Sequence, residues 1–159
     1  MRRRVLTLPA LLLVLAACTR APRPAVPLAV PTADGRYLVG VFEGVLPCAD
    51  CEGIRTRLTL YANGPDDFTR ATYALVETYL GTSDGLQRFR AEGEWTLLRG
   101  DATDPDATVY QLDPGRPSTQ RSFRVLDAQR IELLDREQRP IRSTLDYTLT
   151  RVAAPSPSP

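Results

Sequence analysis

The feature that most limits the folds open to this chain is a two-residue period of apolar and polar side chains, running from Tyr37 to Arg151. Successive side chains of a strand point to opposite faces, so this period suits a sheet with one buried face and no helix. Tyr37, Val39 and Val41 alternate with Leu38, Gly40 and Phe42. Ile54, Thr56, Leu58 and Leu60 share one face, opposite Arg55, Arg57 and Thr59. Thr69 to Leu80 is β-branched and aromatic. Phe89 to Ala91 and Glu94 to Leu98 read as two strands, with Gly93 between them as a bulge. Thr108 to Leu112, Ser122 to Leu126 and Arg130 to Leu134 are short strands, and Ile141 to Arg151 alternates along its length. Asn63-Gly64 signals a hairpin, while Ser83-Asp84-Gly85 and Asp104-Pro105-Asp106 signal turns. About eight or nine strands with polar turns predict an all-β antiparallel sandwich or barrel.

The flanks read differently. Arg2, Arg3 and Arg4 precede an apolar run from Val5 to Ala17, the pattern of a secretory signal. The run falls short of the roughly 20 residues that cross a bilayer. Leu15-Ala16-Ala17-Cys18 resembles the bacterial lipobox, whose cysteine becomes an acylated N-terminus. Cleavage before Cys18 and lipid on Cys18 are therefore expected, tethering the domain to a membrane. Thr19 stands where an aspartate would resemble an inner-membrane retention signal, so the outer membrane is expected, with the domain facing the periplasm. Thr19 to Ala33 is rich in proline and alanine and reads as a disordered spacer. The expected division is a signal peptide at 1–17, a lipidated Cys18 and linker at 18–33, a domain at 34–151 and a disordered tail at 152–159.

Charge removes some partners. The chain's 20 basic residues are all arginine, and it has 19 acidic residues and no histidine. Removing residues 1–17 takes away three arginines and no acid, leaving 17 against 19 and a net charge of −2. No basic excess is left to attract nucleic acid. Without histidine, a Ser-His-Asp arrangement is impossible.

One motif carries chemistry. Cys48-Ala49-Asp50-Cys51 lies between two expected strands, after Pro47 and before Ile54. With Cys18 lipidated, these are the two remaining thiols, in an oxidising compartment. Three readings stand. The first is a disulfide, structural or redox-responsive; its small ring removes little unfolded-state entropy. The second is a soft-metal site in which two thiolates hold Cu(I). Zinc would want two further donors, and only carboxylates such as Asp50 and Glu52 are at hand. The third is a thioredoxin-like catalyst, which needs a helix N-terminus in a βαβ setting that the pattern lacks. Elsewhere, Glu92 and Glu94 read as a solvated face, and Arg55 and Arg57 likewise. Phe89, Trp95, Tyr73 and Tyr79 read as ordinary core rather than as a ligand cavity.

The segment FEGVLPCADCEGIRTRLTL, Phe42 to Leu60, resembles the N-terminal domain of the NlpE family of envelope lipoproteins. Gly44, Leu46, Pro47, Cys48, Ala49, Asp50, Cys51, Gly53, Ile54, Thr56, Leu58 and Leu60 carry the likeness. Tyr79-Leu80-Gly81, Gly93-x-Trp95, Leu133-Leu134-Asp135 and the run from Ser143 to Arg151 extend it. The resemblance implies a small lipocalin-like barrel, copper homeostasis or resistance, and an envelope stress-signalling partner. Members of the best-known type carry a second, C-terminal domain with its own cysteine pair; no counterpart is expected here before Pro159. The expected function is a non-enzymatic lipoprotein that senses copper or thiol redox state through Cys48 and Cys51. Two other functions compete with it: a carrier of a small apolar ligand inside the barrel, and a structural interaction module. A barrel filled with side chains would favour the sensor, and an open apolar interior the carrier.

Overall fold

The computed structural model describes residues 29–83 and 85–154. The lipobox and Cys18 lie outside the described residues. Nine strands follow one another: β1 (Val30–Pro31), β2 (Tyr37–Leu46), β3 (Gly53–Ala62), β4 (Thr72–Leu80), β5 (Gln87–Arg99), β6 (Thr108–Leu112), β7 (Arg121–Val125), β8 (Arg130–Leu133) and β9 (Thr148–Val152). Each strand pairs antiparallel with the next, and β2 pairs with β9 to close an up-and-down barrel. No helix occurs among the described residues.

The alternation works as expected in β3, where Thr56, Leu58, Leu60 and Ala62 are buried and the residues between them are not. Their inward face meets Val39 and Phe42 of β2, Tyr73 and Leu75 of β4, Tyr110 and Leu112 of β6, Phe123 of β7, Ile131 of β8 and Leu149 of β9. Trp95 and Tyr110 meet edge to face at 5.2 Å, and Phe68 packs edge-on to Trp95 at 5.6 Å. Such pairs add about 0.5–1.5 kcal/mol to the burial of their surface. Side chains therefore fill the interior.

Arg151 closes one end of the barrel. Its Nη1 donates to the Val39 carbonyl at 2.8 Å and its Nε to the Ala128 carbonyl at 2.9 Å. The guanidinium lies 4.7 Å from the Phe42 ring centre. A side chain at Gly40 would collide with it, so the missing Cβ makes room for the plug. Burial lowers the Arg151 pKa below the ordinary arginine value, against a smaller upward pull from Tyr110.

Tyr110 is fully buried, and its hydroxyl has no hydrogen-bond partner among the described residues. Burial pushes its pKa up to about 12, against a weaker downward pull from Arg151. The folded chain then holds this proton more tightly than the unfolded chain, whose tyrosine titrates at about 10. The resulting stability is complete below pH 10 and is lost as pH rises towards 12. Tyr110→Phe removes both the titration and an unsatisfied hydroxyl. It is expected to leave stability at neutral pH equal or higher by about 1 kcal/mol. It should also flatten the alkaline fall by about 2–3 kcal/mol. Denaturant unfolding at a series of pH values measures both effects.

The strands differ greatly in length. β9 covers only Val41, Phe42 and Glu43 of β2, and β6 pairs only with Trp95 to Arg99 of β5. Beyond those pairs β2, β3, β4 and β5 continue together as a four-stranded lip at the barrel rim, tied back to β7 by the Glu77–Arg121 pair.

Several elements depart from the sequence reading. Phe89 to Ala91 and Glu94 to Leu98 belong to one continuous strand, and the ladder passes Gly93 without a bulge. Gly93 is needed for close approach instead, because a Cβ there would strike the Asp113 carboxylate and lie 2.9 Å from the Tyr73 ring. The one register shift in the β2–β3 ladder falls between Leu38 and Gly40. Asn63-Gly64 opens a long loop rather than a two-residue hairpin. Pro65 follows it, and Asp67 ties the loop by accepting from Thr69 N at 2.9 Å and Asn63 Nδ2 at 3.0 Å.

At the C-terminal side, Ile141 to Tyr147 is not strand, and Leu145 is 59% exposed. Ser143 Oγ accepts from Leu145 N at 3.1 Å and Asp146 Oδ1 from Thr148 N at 2.8 Å, local bonds that replace a ladder. The ends of the expected spacer and tail are ordered. Val30 and Pro31 pair with Leu38 and Tyr37, and Val152 pairs with Val41, because the edges of β2 accept them.

Candidate redox and metal-binding site

The Cys48–Cys51 loop crosses the tip of the lip, between Leu46 at the end of β2 and Gly53 at the start of β3. Pro47 stops β2 because it cannot donate to a ladder. Gly53 restarts the chain with φ +152°, and a Cβ there would lie 2.5 Å from the Val45 side chain. The Glu52 amide donates to the Leu80 carbonyl at 2.9 Å. The Glu52 side chain packs on Gly81, whose φ is +65° and which has no room for a Cβ. The loop is thus held from both sides: by its own hairpin, and by the turn that follows β4.

Within this frame Cys48 and Cys51 form a disulfide, with their Cα atoms 5.4 Å apart. Both cysteines are half-buried, while Ala49, Asp50 and Glu52 are exposed. Cys51 Sγ lies 3.4 Å from the Gly53 carbonyl oxygen, which can accept from a thiol once the bond is reduced. The sulfurs are therefore anchored yet open to a solvent-borne reductant. Among the described residues no group of three or more histidine, cysteine or carboxylate side chains is placed to hold a metal. The donor set fits a soft ion bound by two thiolates, Cu(I), after reduction, and does not fit a tetrahedral zinc site. Among the described residues no helix N-terminus faces the sulfurs, so thioredoxin-like activation has no support there.

The other singled-out residues are dispersed. Glu92 and Glu94 point outward on β5, both exposed. Arg55 is exposed, and Arg57 pairs with Glu43 on the outer surface. Trp95 and Tyr73 are core. Phe89 is 53% exposed and meets Tyr79 edge to face at 5.3 Å, so this pair lines the lip rather than the core.

A buried polar cluster escaped the sequence reading. Tyr73 donates to Asp113 Oδ2 at 3.0 Å, and Arg121 makes a two-pronged pair with Glu77 at 2.5 and 3.1 Å. Burial and the Asp113 hydrogen bond push the Tyr73 pKa up to about 12. Burial pulls Arg121 down, but the Glu77 hydrogen bond and charge outweigh it and leave the pKa raised. Glu77 holds the same inward parity as Tyr73 and Leu75, and that signal could have revealed it.

Together these features define a small closed β-barrel with a two-cysteine loop at its rim. The chain belongs to the NlpE family: the model of the NlpE N-terminal domain matches residues 42–144. Lipoprotein NlpE of Escherichia coli (strain K12) is 37% identical over 108 residues, which make up 68% of this chain and 39% of that protein. The chain thus spans well under half of that relative. Two solved structures are similar. A candidate lipoprotein from Shewanella oneidensis shares 30% identity over 70% of this chain and 86% of its own, with a TM-score of 0.49. NlpE from Escherichia coli, described as the Cpx pathway activator, shares 34% over 76% of this chain and 53% of its own, with a TM-score of 0.48.

Proposed function

We propose that this chain is a non-enzymatic lipoprotein, anchored through Cys18 in the outer membrane with its barrel in the periplasm. In this reading Cys48 and Cys51 alternate between a disulfide and a Cu(I)-binding dithiol, and the change is passed to an envelope stress-signalling protein. The observation that carries the reading is a lone cysteine pair on an exposed, well-anchored loop of the lip, away from the core. The filled interior supports a sensor over a carrier of apolar ligands. Exchange with an external dithiol, which is itself oxidised to a disulfide, supplies the two electrons and two protons that convert the pair to two thiols, and Cu(I) then displaces both protons as it binds. The link to stress signalling rests on the relative described as the Cpx pathway activator.

Trapping thiols in living cells tests the redox half. Cells producing the full chain are quenched in acid and alkylated, and the Cys48–Cys51 peptide is weighed. In aerated cells the pair is expected to resist alkylation until a reductant is added. After anaerobic growth a substantial fraction should be alkylated. A pair that stays oxidised under both conditions is a structural staple, and the switching role is then wrong.

A further inference from the structure

The carboxylates of β2 and β4 are each answered by an arginine: Glu43 by Arg57 and Glu77 by Arg121. The loop at the tip of the lip is not. Asp50 and Glu52 flank Cys51 in the chain, and both are exposed. Neither is paired with a base among the described residues. No arginine occurs from Tyr37 to Ile54, or from Gly81 to Leu86 in the turn that holds the loop. Consecutive Cα atoms are about 3.8 Å apart, which puts both carboxylates within about 10 Å of the sulfurs. That is comparable with the screening length of about 8 Å in physiological salt. Glu52 is also held in place, by its amide bond to the Leu80 carbonyl and by its side chain against Gly81. Because both cysteines are half-buried, a reductant reaches them over a rim of uncompensated negative charge.

We propose that Asp50 and Glu52 determine which reductant reaches the Cys48–Cys51 disulfide: they slow an anionic thiol and favour a dithiol that is neutral or carries positive charge. This deepens the redox reading above and rests on it for a role in the cell, while the selectivity itself is a property of the disulfide and is measured apart from any switching. Exchange begins when a thiolate of the reductant attacks one of the two sulfurs. The S–S bond breaks, and the released sulfur leaves as a thiolate that takes a proton from solvent. The second thiol of the reductant gives up its proton and attacks the mixed disulfide. It releases the other cysteine, which is protonated in turn, and closes the reductant's own disulfide. The pair gains two electrons and two protons, and the dithiol loses them. The attacking sulfur is already negative, so each further negative charge on the reductant adds to the repulsion at the rim. Two carboxylates about 8 Å from one added unit of charge slow its approach about fourfold at low salt. Positive charge on the reductant gains by the same factor. The protein partner that fits therefore carries its dithiol in a basic rim, which the acidic loop steers towards the sulfurs.

Three dithiols of different charge test this on the oxidised full chain in an uncharged detergent: dithiobutylamine, dithiothreitol and dimercaptopropanesulfonate. Samples are quenched in acid, alkylated and weighed, and each rate is divided by the rate of the same dithiol on a small uncharged disulfide. Wild type is expected to follow the order amine, neutral, sulfonate, with at least about a tenfold spread at about 0.01 M salt. D50N/E52Q keeps the shape of both side chains and removes their charge, and its spread should fall to about threefold or less. High salt should compress the wild-type spread in the same way. E92Q/E94Q removes two exposed charges elsewhere, because Glu92 lies opposite Ala74, about 20 Å along β4 from Leu80. That variant should keep most of the spread, which separates the charge of the loop from the net charge of the chain. A wild type without the spread overturns the proposal. So does a D50N/E52Q variant that retains it, or a disulfide that none of the three dithiols reduces.

Discussion

Trp95→Ala is expected to remove about 3–5 kcal/mol of folding stability. Trp95 is 2% exposed, and its Nε1 donates to the Tyr61 carbonyl at 2.9 Å. Its ring meets Tyr110 and Phe68 edge to face. The residue also sits at a structural junction. Glu94 is the last residue of β5 paired to β4, and Trp95 is the first paired to β6. Truncation therefore opens a cavity where the lip joins the closed barrel and leaves a carbonyl unsatisfied. Against a total of about 5–15 kcal/mol for a domain, the loss is a large fraction. Denaturant unfolding followed by far-UV circular dichroism reads it directly. Leu86→Ala is the matched control: Leu86 is 74% exposed and its loss should matter by no more than about 0.5 kcal/mol. If Trp95→Ala falls within the range of that control, the core is not organised around this ring.

Much of the barrel was legible because β3 and β4 each keep one face in and one face out, whereas β2 buries Val39 to Phe42 on both faces. Leu58 and Leu60 are fully buried, and Arg55 between Ile54 and Thr56 is exposed, as a period of two demands. The reading failed where alternation and pairing part company. Ser143, Leu145 and Tyr147 alternate well, yet Ser143 and Asp146 bond to nearby backbone amides, and pairing with β8 stops at Tyr147, whose carbonyl accepts from Leu133 N at 2.9 Å. In β5 the residues from Arg88 to Glu92 are exposed on both faces, because the barrel wall ends beside them. Pattern alone does not show how far a neighbouring strand reaches. Glu77 was hidden for the opposite reason: a carboxylate on the inward face is tolerated only because Arg121, 44 residues away, answers it. The cysteine loop was visible from Cys48 and Cys51 themselves. The contact of Glu52 with Gly81 that steadies it was not, because it joins two separate turns.

The largest functional effect is expected at that loop. Reduced full chain should bind about one Cu(I), held by two thiolates, the coordination this soft ion favours. Cys48→Ser and Cys51→Ser each remove one of the two sulfurs, and a hydroxyl is a poor substitute. Copper binding should be lost in both variants. The fold should persist, because a disulfide closing so short a ring contributes about 2 kcal/mol or less. Asp50 and Glu52 are exposed beside the sulfurs, and their negative charge favours a bound cation without supplying soft donors. Anaerobic titration against a competing Cu(I) chelator is the most direct test. Reduced wild type should withdraw about one equivalent of copper from the chelator, while both serine variants withdraw none. Serine variants that compete as well as wild type, or a reduced wild type that never competes, would contradict a copper-responsive Cys48–Cys51 pair.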